Sequence, residues 1–101
     1  MANSFKTYTK RNVTAYTAVM TSPIGATSTV VGLTISNVSG VNTDVTVRLE
    51  STHIVKNATV IAGSALVPIG GDQKIVVAAG QSIYVRATNA VDVVCSVLEQ
   101  N

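Results

Sequence analysis

The chain has 101 residues, a net charge of +2, 12% charged side chains and 47% hydrophobic ones. That is one domain of modest size, with no apolar run long enough to span a bilayer and no clustered basic tract with interleaved aromatics for nucleic acid. Val, Ile and Thr supply 38 residues against four Leu and two Glu, so β-branched residues outweigh good helix formers and the chain reads as all-β.

Period-two alternation then locates the strands, taken here in chain order. A first short candidate is Phe5 to Lys10. Residues 1–12 carry little core signal and concentrate Lys6, Lys10 and Arg11, three of the seven basic residues, which suits either a solvated end or an extended arm that docks on an acidic neighbour. The chain begins with no basic-then-apolar leader, so no secretory signal is predicted.

Next, Tyr16, Ala18 and Met20 alternate with Thr17 and Val19. The turn Ser22-Pro23-Ile24-Gly25 follows, then a strand with Val31, Leu33 and Ile35 on its core face, closed by Asn37-Val38-Ser39-Gly40. The clearest alternation runs from Thr43 to Glu50. Val45, Val47 and Leu49 point one way there, and Thr46, Arg48 and Glu50 the other.

Shorter candidates are His53 to Lys56, Ala65 to Ile69 and Lys74 to Val77, with Gly70 and Gly71 read as a hairpin between the last two. Ile83 and Val85 face inward against Tyr84 and Arg86. Val91, Val93, Cys95 and Val97 do so against Asp92 and Ser96. Eight or nine short strands without a helical segment predict a single antiparallel β-sandwich, jelly-roll or Ig-like, over residues 1–101, with barrel closure as the alternative.

One stretch repeats itself. Val60, Ala62, Gly63 and Leu66 align with Val77, Ala79, Gly80 and Ile83 at an offset of seventeen residues. Each copy reads as strand end, tight glycine turn and strand start, and the expectation is two equivalent hairpin corners at one end of the sandwich. A solenoid would need more copies.

Chemistry is sparse. His53 and Cys95 are the only residues of their kinds, too few for a zinc site or a disulfide framework. Cys95 shares a face with three valines and reads as a buried structural thiol. Asp44 and Glu50, on one strand, would lie about 20 Å apart at about 3.3 Å per residue, too far for paired-carboxylate catalysis. Asp72 and Asp92 sit near turns, where capping is their ordinary role. Residues 70–74 lack P-loop spacing and a following helix. The Asn-x-Ser/Thr matches at Asn12, Asn37 and Asn57 are expected by chance in a chain this rich in Asn and Thr. No enzyme, cofactor or metal is expected.

Charge this low, about half the usual quarter, implies either a surface largely covered in an assembly or one solvated by Ser and Thr hydroxyls. Ile54, Val76, Val94 and Leu98, together with Val30, fall on the expected outward faces and would form an interface if they cluster on one sheet. Open strand edges offer a related route to self-association.

The carboxyl-terminal half resembles a widespread group of small virion proteins of tailed bacteriophages. The resemblance rests on Ala62-Gly63-Ser64, the apolar strand Leu66 to Ile69, Gly71 to Lys74, a second Ala79-Gly80 turn and the closing strand Val91 to Glu99, with "VVGLTISNVSG" ahead of them. It spans roughly residues 27 to 99, and it departs from the group's pattern at Ile61 and Gln81, where turn chemistry differs. It implies a non-enzymatic sandwich built in many symmetric copies into a virion assembled in the host cytoplasm. Capsid decoration comes first, binding itself and other virion proteins such as the major capsid protein, and a neck, collar or tail component second. Gly63, Gly70, Gly71 and Gly80 could then form a side-chain-poor rim against a neighbour. A carbohydrate-binding module is the other class, with Phe5, Tyr8, Tyr16 and Tyr84 as its only rings, and neither nucleic acid nor membrane is an expected partner.

Overall fold

The computed structural model describes residues 3–70 and 73–101. Nine strands appear there: β1 (Asn3–Val13), β2 (Thr17–Thr21), β3 (Thr27–Asn37), β4 (Thr43–Leu49), β5 (Thr52–Val60), β6 (Ala65–Ile69), β7 (Ile75–Val77), β8 (Ser82–Ala87) and β9 (Val91–Gln100). They form two antiparallel sheets. The front sheet has the order β1-β9-β3-β6, with β7 also on β3, and the back sheet has the order β2-β8-β4-β5.

β6 and β7 do not pair with each other. Both run antiparallel to β3, β6 opposite Leu33 to Ser36 and β7 opposite Ser28 to Val30. They occupy successive stretches of one strand position, β6 ending at Ile69 and β7 starting at Ile75, which corrects the expected pairing of the two as a hairpin at Gly70-Gly71; Gly71 and Asp72 themselves lie outside the described residues. With β6 and β7 taken together, β1 pairs β9, β2 pairs β8, β3 pairs β6/β7 and β4 pairs β5. A long hairpin with its tip at residues 50–51, rolled so that successive strands alternate between sheets, gives this order. It is the strand order of a jelly roll, and both sheets keep open edges, so the barrel alternative falls.

The core lies between the sheets, where the inward residues of each meet. Val91, Val93, Cys95 and Val97 of β9 are all buried, as are Ile83 and Val85 of β8 and Val45 and Val47 of β4. Two inward assignments shift because of bulges. The pairing of β3 with β9 slips between Val30 and Gly32, so Val30 is fully buried together with Leu33 and Ile35, and Val31 only partly. A slip in β2 between Ala18 and Met20 turns both Val19 and Met20 inward and leaves Tyr16, just ahead of the strand, exposed. One extra residue in a strand reverses the facing of everything beyond it.

The seventeen-residue repeat marks sheet crossings. Ser64 N–H donates to Ile61 O and Gln81 N–H to Ala78 O, each at 3.0 Å, with Gly63 and Gly80 third in the turn at φ +79° and +80°. This is type II geometry, in which the third residue needs a positive φ. A third crossing has the same form, Ala26 N–H to Pro23 O at 3.1 Å with Gly25 at φ +87°. The chain passes from β5 to β6 at one end of the sandwich, traverses the front sheet, and passes from β7 to β8 at the other. The two corners therefore lie at opposite ends, and they are arches between sheets rather than hairpins. Seventeen residues is the length of one interrupted traverse.

Candidate functional site: two unlike sheet faces

β1 is the edge of the front sheet, paired along β9 from Asn3 opposite Gln100 to Val13 opposite Val91. Residues 3–12 are thus part of the sheet rather than a free arm. Residues directly opposite in an antiparallel pair share a face, so Lys6 and Tyr8, opposite Val97 and Cys95, point to the inner side, where the shorter back sheet leaves them partly uncovered. Lys6 Nζ lies 3.0 Å from Glu99 Oε1, and Tyr8 O–H donates to Glu99 Oε2. The hydrogen bond from Tyr8 and the ammonium of Lys6 hold the buried Glu99 carboxyl below its usual range. The same bond to Glu99, with burial, pushes the Tyr8 phenol up to about 12. This trio plugs the overhang. Among the described residues Lys6–Glu99 is the one ion pair; Lys10 stands exposed opposite Val93, and Arg11 sits in the register slip beyond it. Of the three basic residues, Lys6 is drawn to Glu99, and Lys10 and Arg11 follow farther along the edge strand.

The outer face of the front sheet gathers the other sequence candidates. Phe5, Leu98, Thr29 and Val76 form one register row across all four strand positions. Val94, between Thr9 and Thr34, lies farther along the same face. Phe5 is 79% exposed, Val76 59% and Val94 44%. The face carries hydroxyls, amides, aliphatics and the Phe5 ring, with the charge of Asp92 at one end, opposite Ser36. Four strand positions about 4.8 Å apart and about 33 Å along β9 present on the order of 600 Å², near the roughly 800 Å² per partner of a standard interface. Ile54 is not part of it. It sits in a β5 bulge, opposite the step from Val47 to Arg48, half-buried against the core.

The described glycines of the expected rim, Gly63, Gly70 and Gly80, do not lie together. Gly63 lies at the end of the molecule opposite Gly80, and Gly70 at the break between β6 and β7. The Gly80 corner is instead tied to the Pro23–Ala26 corner: Ser22 N–H donates to Gln81 O at 2.9 Å and Gly80 N–H to Ser22 O at 2.8 Å, with Ile24 lying over Gly80. At the other end Asn37 is buried. Its Nδ2 donates to Val41 O and Val60 O at 2.7 and 2.9 Å, and its Oδ1 accepts from Ser39 N–H and O–H at 3.0 and 2.7 Å. The polar atoms of that side chain are engaged by its own turn and by the end of β5.

The back sheet's outer face has the opposite character, and sequence reasoning treated its members only singly. Ala18, Tyr84, Arg48 and His53 form one cross-strand row, with Arg86 beside Thr46 in the next. The Arg48 guanidinium carbon stands 3.9 Å above the Tyr16 ring centroid and 5.7 Å from that of Tyr84, and that of Arg86 is 5.8 Å from Tyr16. Such stacking is worth about 0.5 to 2 kcal/mol according to its exposure. Alternation shows Arg48 and Arg86 pointing outward, but only the pairing of β4 with β8 makes them neighbours.

Cys95 is buried and its thiol is pushed up to about 11 by that burial, the opposite of an activated nucleophile. No group of three His, Cys, Asp or Glu side chains that could hold a metal ion occurs among the described residues. Comparison of the chain with protein-family models, with curated proteins and with solved structures finds no match in any of the three.

Proposed function

We propose that this chain is a non-enzymatic structural protein of a tailed-phage virion, first a capsid decoration protein and second a neck, collar or tail component. The observation that carries the reading is the outer face of the front sheet, which sets Phe5, Leu98, Val76 and Val94 on one nearly uncharged surface. Exposed apolar side chains gathered on a face with so little charge suit a surface that meets other protein. The resemblance of the carboxyl-terminal half to small virion proteins supports the same role.

Decoration of this kind is a binding problem. Copies that dock only on the assembled shell stabilise it over its separated parts by mass action, and many modest contacts act together when each copy touches more than one neighbour. The sugar-binding class has less support, because the Tyr16 ring face is occupied by Arg48 and the Tyr8 hydroxyl is engaged by Glu99.

The test is the copy number of the chain relative to the major capsid protein in purified, washed particles, by quantitative mass spectrometry. A ratio near one or a simple fraction of it is the expected result for decoration. A few copies per particle would move the chain to the neck or tail, and complete absence would overturn the virion reading.

A further inference from the structure

We propose that the outer face of the back sheet is a carboxylate-binding site, in which Arg48 and Arg86, set by the Tyr16 and Tyr84 rings, receive an Asp or Glu side chain of an acidic protein segment. The site is separate from the apolar front face and does not depend on the virion reading.

Two like charges converge here. Arg48 lies opposite Tyr84 and Arg86 opposite Thr46, which makes the arginines diagonal neighbours on one face, about 7–8 Å apart at the backbone. Both guanidinium groups approach the same Tyr16 ring, at 3.9 and 5.8 Å. Neither is in an ion pair among the described residues. The Arg48 Nε–H is buried and makes no hydrogen bond, an unusual state for a covered donor in a folded chain. Stacking on the ring fixes the plane of the guanidinium, so its remaining N–H groups are pre-aimed for the fork-like pairing that carboxylates accept. His53, directly opposite Arg48, extends the donor row.

The neighbouring acids choose the ligand. Asp44 and Glu50 bracket Arg48 on β4 and its turn, and each is already engaged, Asp44 Oδ1 by the Thr59 hydroxyl at 2.9 Å and Glu50 Oε2 by Ser82 N–H at 2.8 Å. The positive charge here is confined to two arginines flanked along the strand by these acids, which falls short of the extended basic track that a phosphate backbone needs and suffices for the carboxylate of an acidic side chain. That favours an acidic peptide over a nucleic acid.

The experiment uses the full chain and records the arginine Nε–H resonances by NMR while a capped peptide of six glutamates is added, with an oligothymidylate of similar charge in a parallel titration. The expected result is saturable shifts at Arg48 and Arg86 with the peptide, tighter than with the oligonucleotide. Arg86→Gln, at an exposed position that leaves the fold intact, should weaken binding at least tenfold, Arg48→Gln likewise, and Lys10→Gln by less than twofold. Absence of a saturable shift overturns the proposal, and equal losses from Lys10→Gln would reduce it to general charge attraction. Tighter binding of the oligonucleotide would replace it with a nucleic-acid surface. Particle incorporation is not measured here, so failure of this site and failure of the decoration reading are distinguishable.

Discussion

Glu99 and its two partners show how one buried carboxylate makes stability depend on pH at both ends of the scale. The Glu99 carboxyl is held below its usual range by Tyr8 and Lys6. Its contribution is therefore fully present above the unfolded value, and is lost as pH falls through the depressed folded one. Tyr8 behaves in the opposite sense. Its folded value is raised from 10.0 to about 12, so its contribution is present below pH 10 and disappears as pH rises toward 12. The buried Cys95 thiol, raised from 9.0 to about 11, adds a loss of the same sign that begins lower. Urea midpoints measured against pH should stay level through neutrality, fall in acid, and fall again from about pH 9 upward. Tyr8→Phe should remove the upper part of the alkaline loss and shift the acid limb to higher pH, because Glu99 loses its main stabilising bond. At neutral pH it should cost about 1.5–3 kcal/mol, the range for a hydrogen bond to a charged group. A Tyr8→Phe protein with an unchanged pH profile would show that the trio carries no coupled stability.

At the scale of elements, corners and bulges decide the fold, and they differ in how far they can be read from sequence. The corners were legible. A glycine third in a tight turn needs a positive φ, so the Gly63 and Gly80 turns could be placed before any pairing was known. Gly63→Ala and Gly80→Ala should each destabilise by about 1 kcal/mol, since an L side chain in the left-handed region costs about that much. Gly32→Ala should be neutral or slightly stabilising, because Gly32 has no positive φ and open space where a Cβ would stand. Thermal unfolding of the three variants checks the contrast. What was not legible is which sheet each corner joins, because a turn records the reversal of the chain and not the strand it next pairs with. Bulges leave even less trace. The run Val30-Val31 is apolar at both positions, so alternation carried back from Leu33 selects Val31, while the slip against β9 buries Val30. Val30→Asp should unfold the domain, and Val31→Thr should cost less than about 1.5 kcal/mol in chemical denaturation. The reverse order would mean that the bulge is misplaced. The Arg48–Tyr16 stack was hidden for the same reason, since it depends on β4 lying beside β8 and on a β2 bulge that leaves Tyr16 outside.

The whole molecule presents two unlike faces, nearly uncharged with exposed apolar side chains among hydroxyls on the front sheet, cationic and tyrosine-lined on the back. A copy with different surfaces on opposite sides can touch two different neighbours at once, as bridging an assembly requires. The front face is testable with two residues of equal exposure. Val76, on that face, and Ile61, at the corner between β5 and β6, are each 59% exposed. Glutamate at either position should change folding stability by no more than about 0.5 kcal/mol, the usual range for surface substitutions. The consequences for docking should diverge. A carboxylate buried against a neighbour's apolar surface loses its hydration without gaining a partner, a cost of several kcal/mol, and each 1.4 kcal/mol is about tenfold in occupancy. On the proposed decoration role, Val76→Glu should therefore lower incorporation into particles more than tenfold, and Leu98→Glu, its near neighbour in the same register row, should do the same. Ile61→Glu should incorporate as the unaltered chain does. If Ile61→Glu is excluded while Val76→Glu is retained, the contact runs through the corner rather than the sheet, and the uncharged front face has some other use.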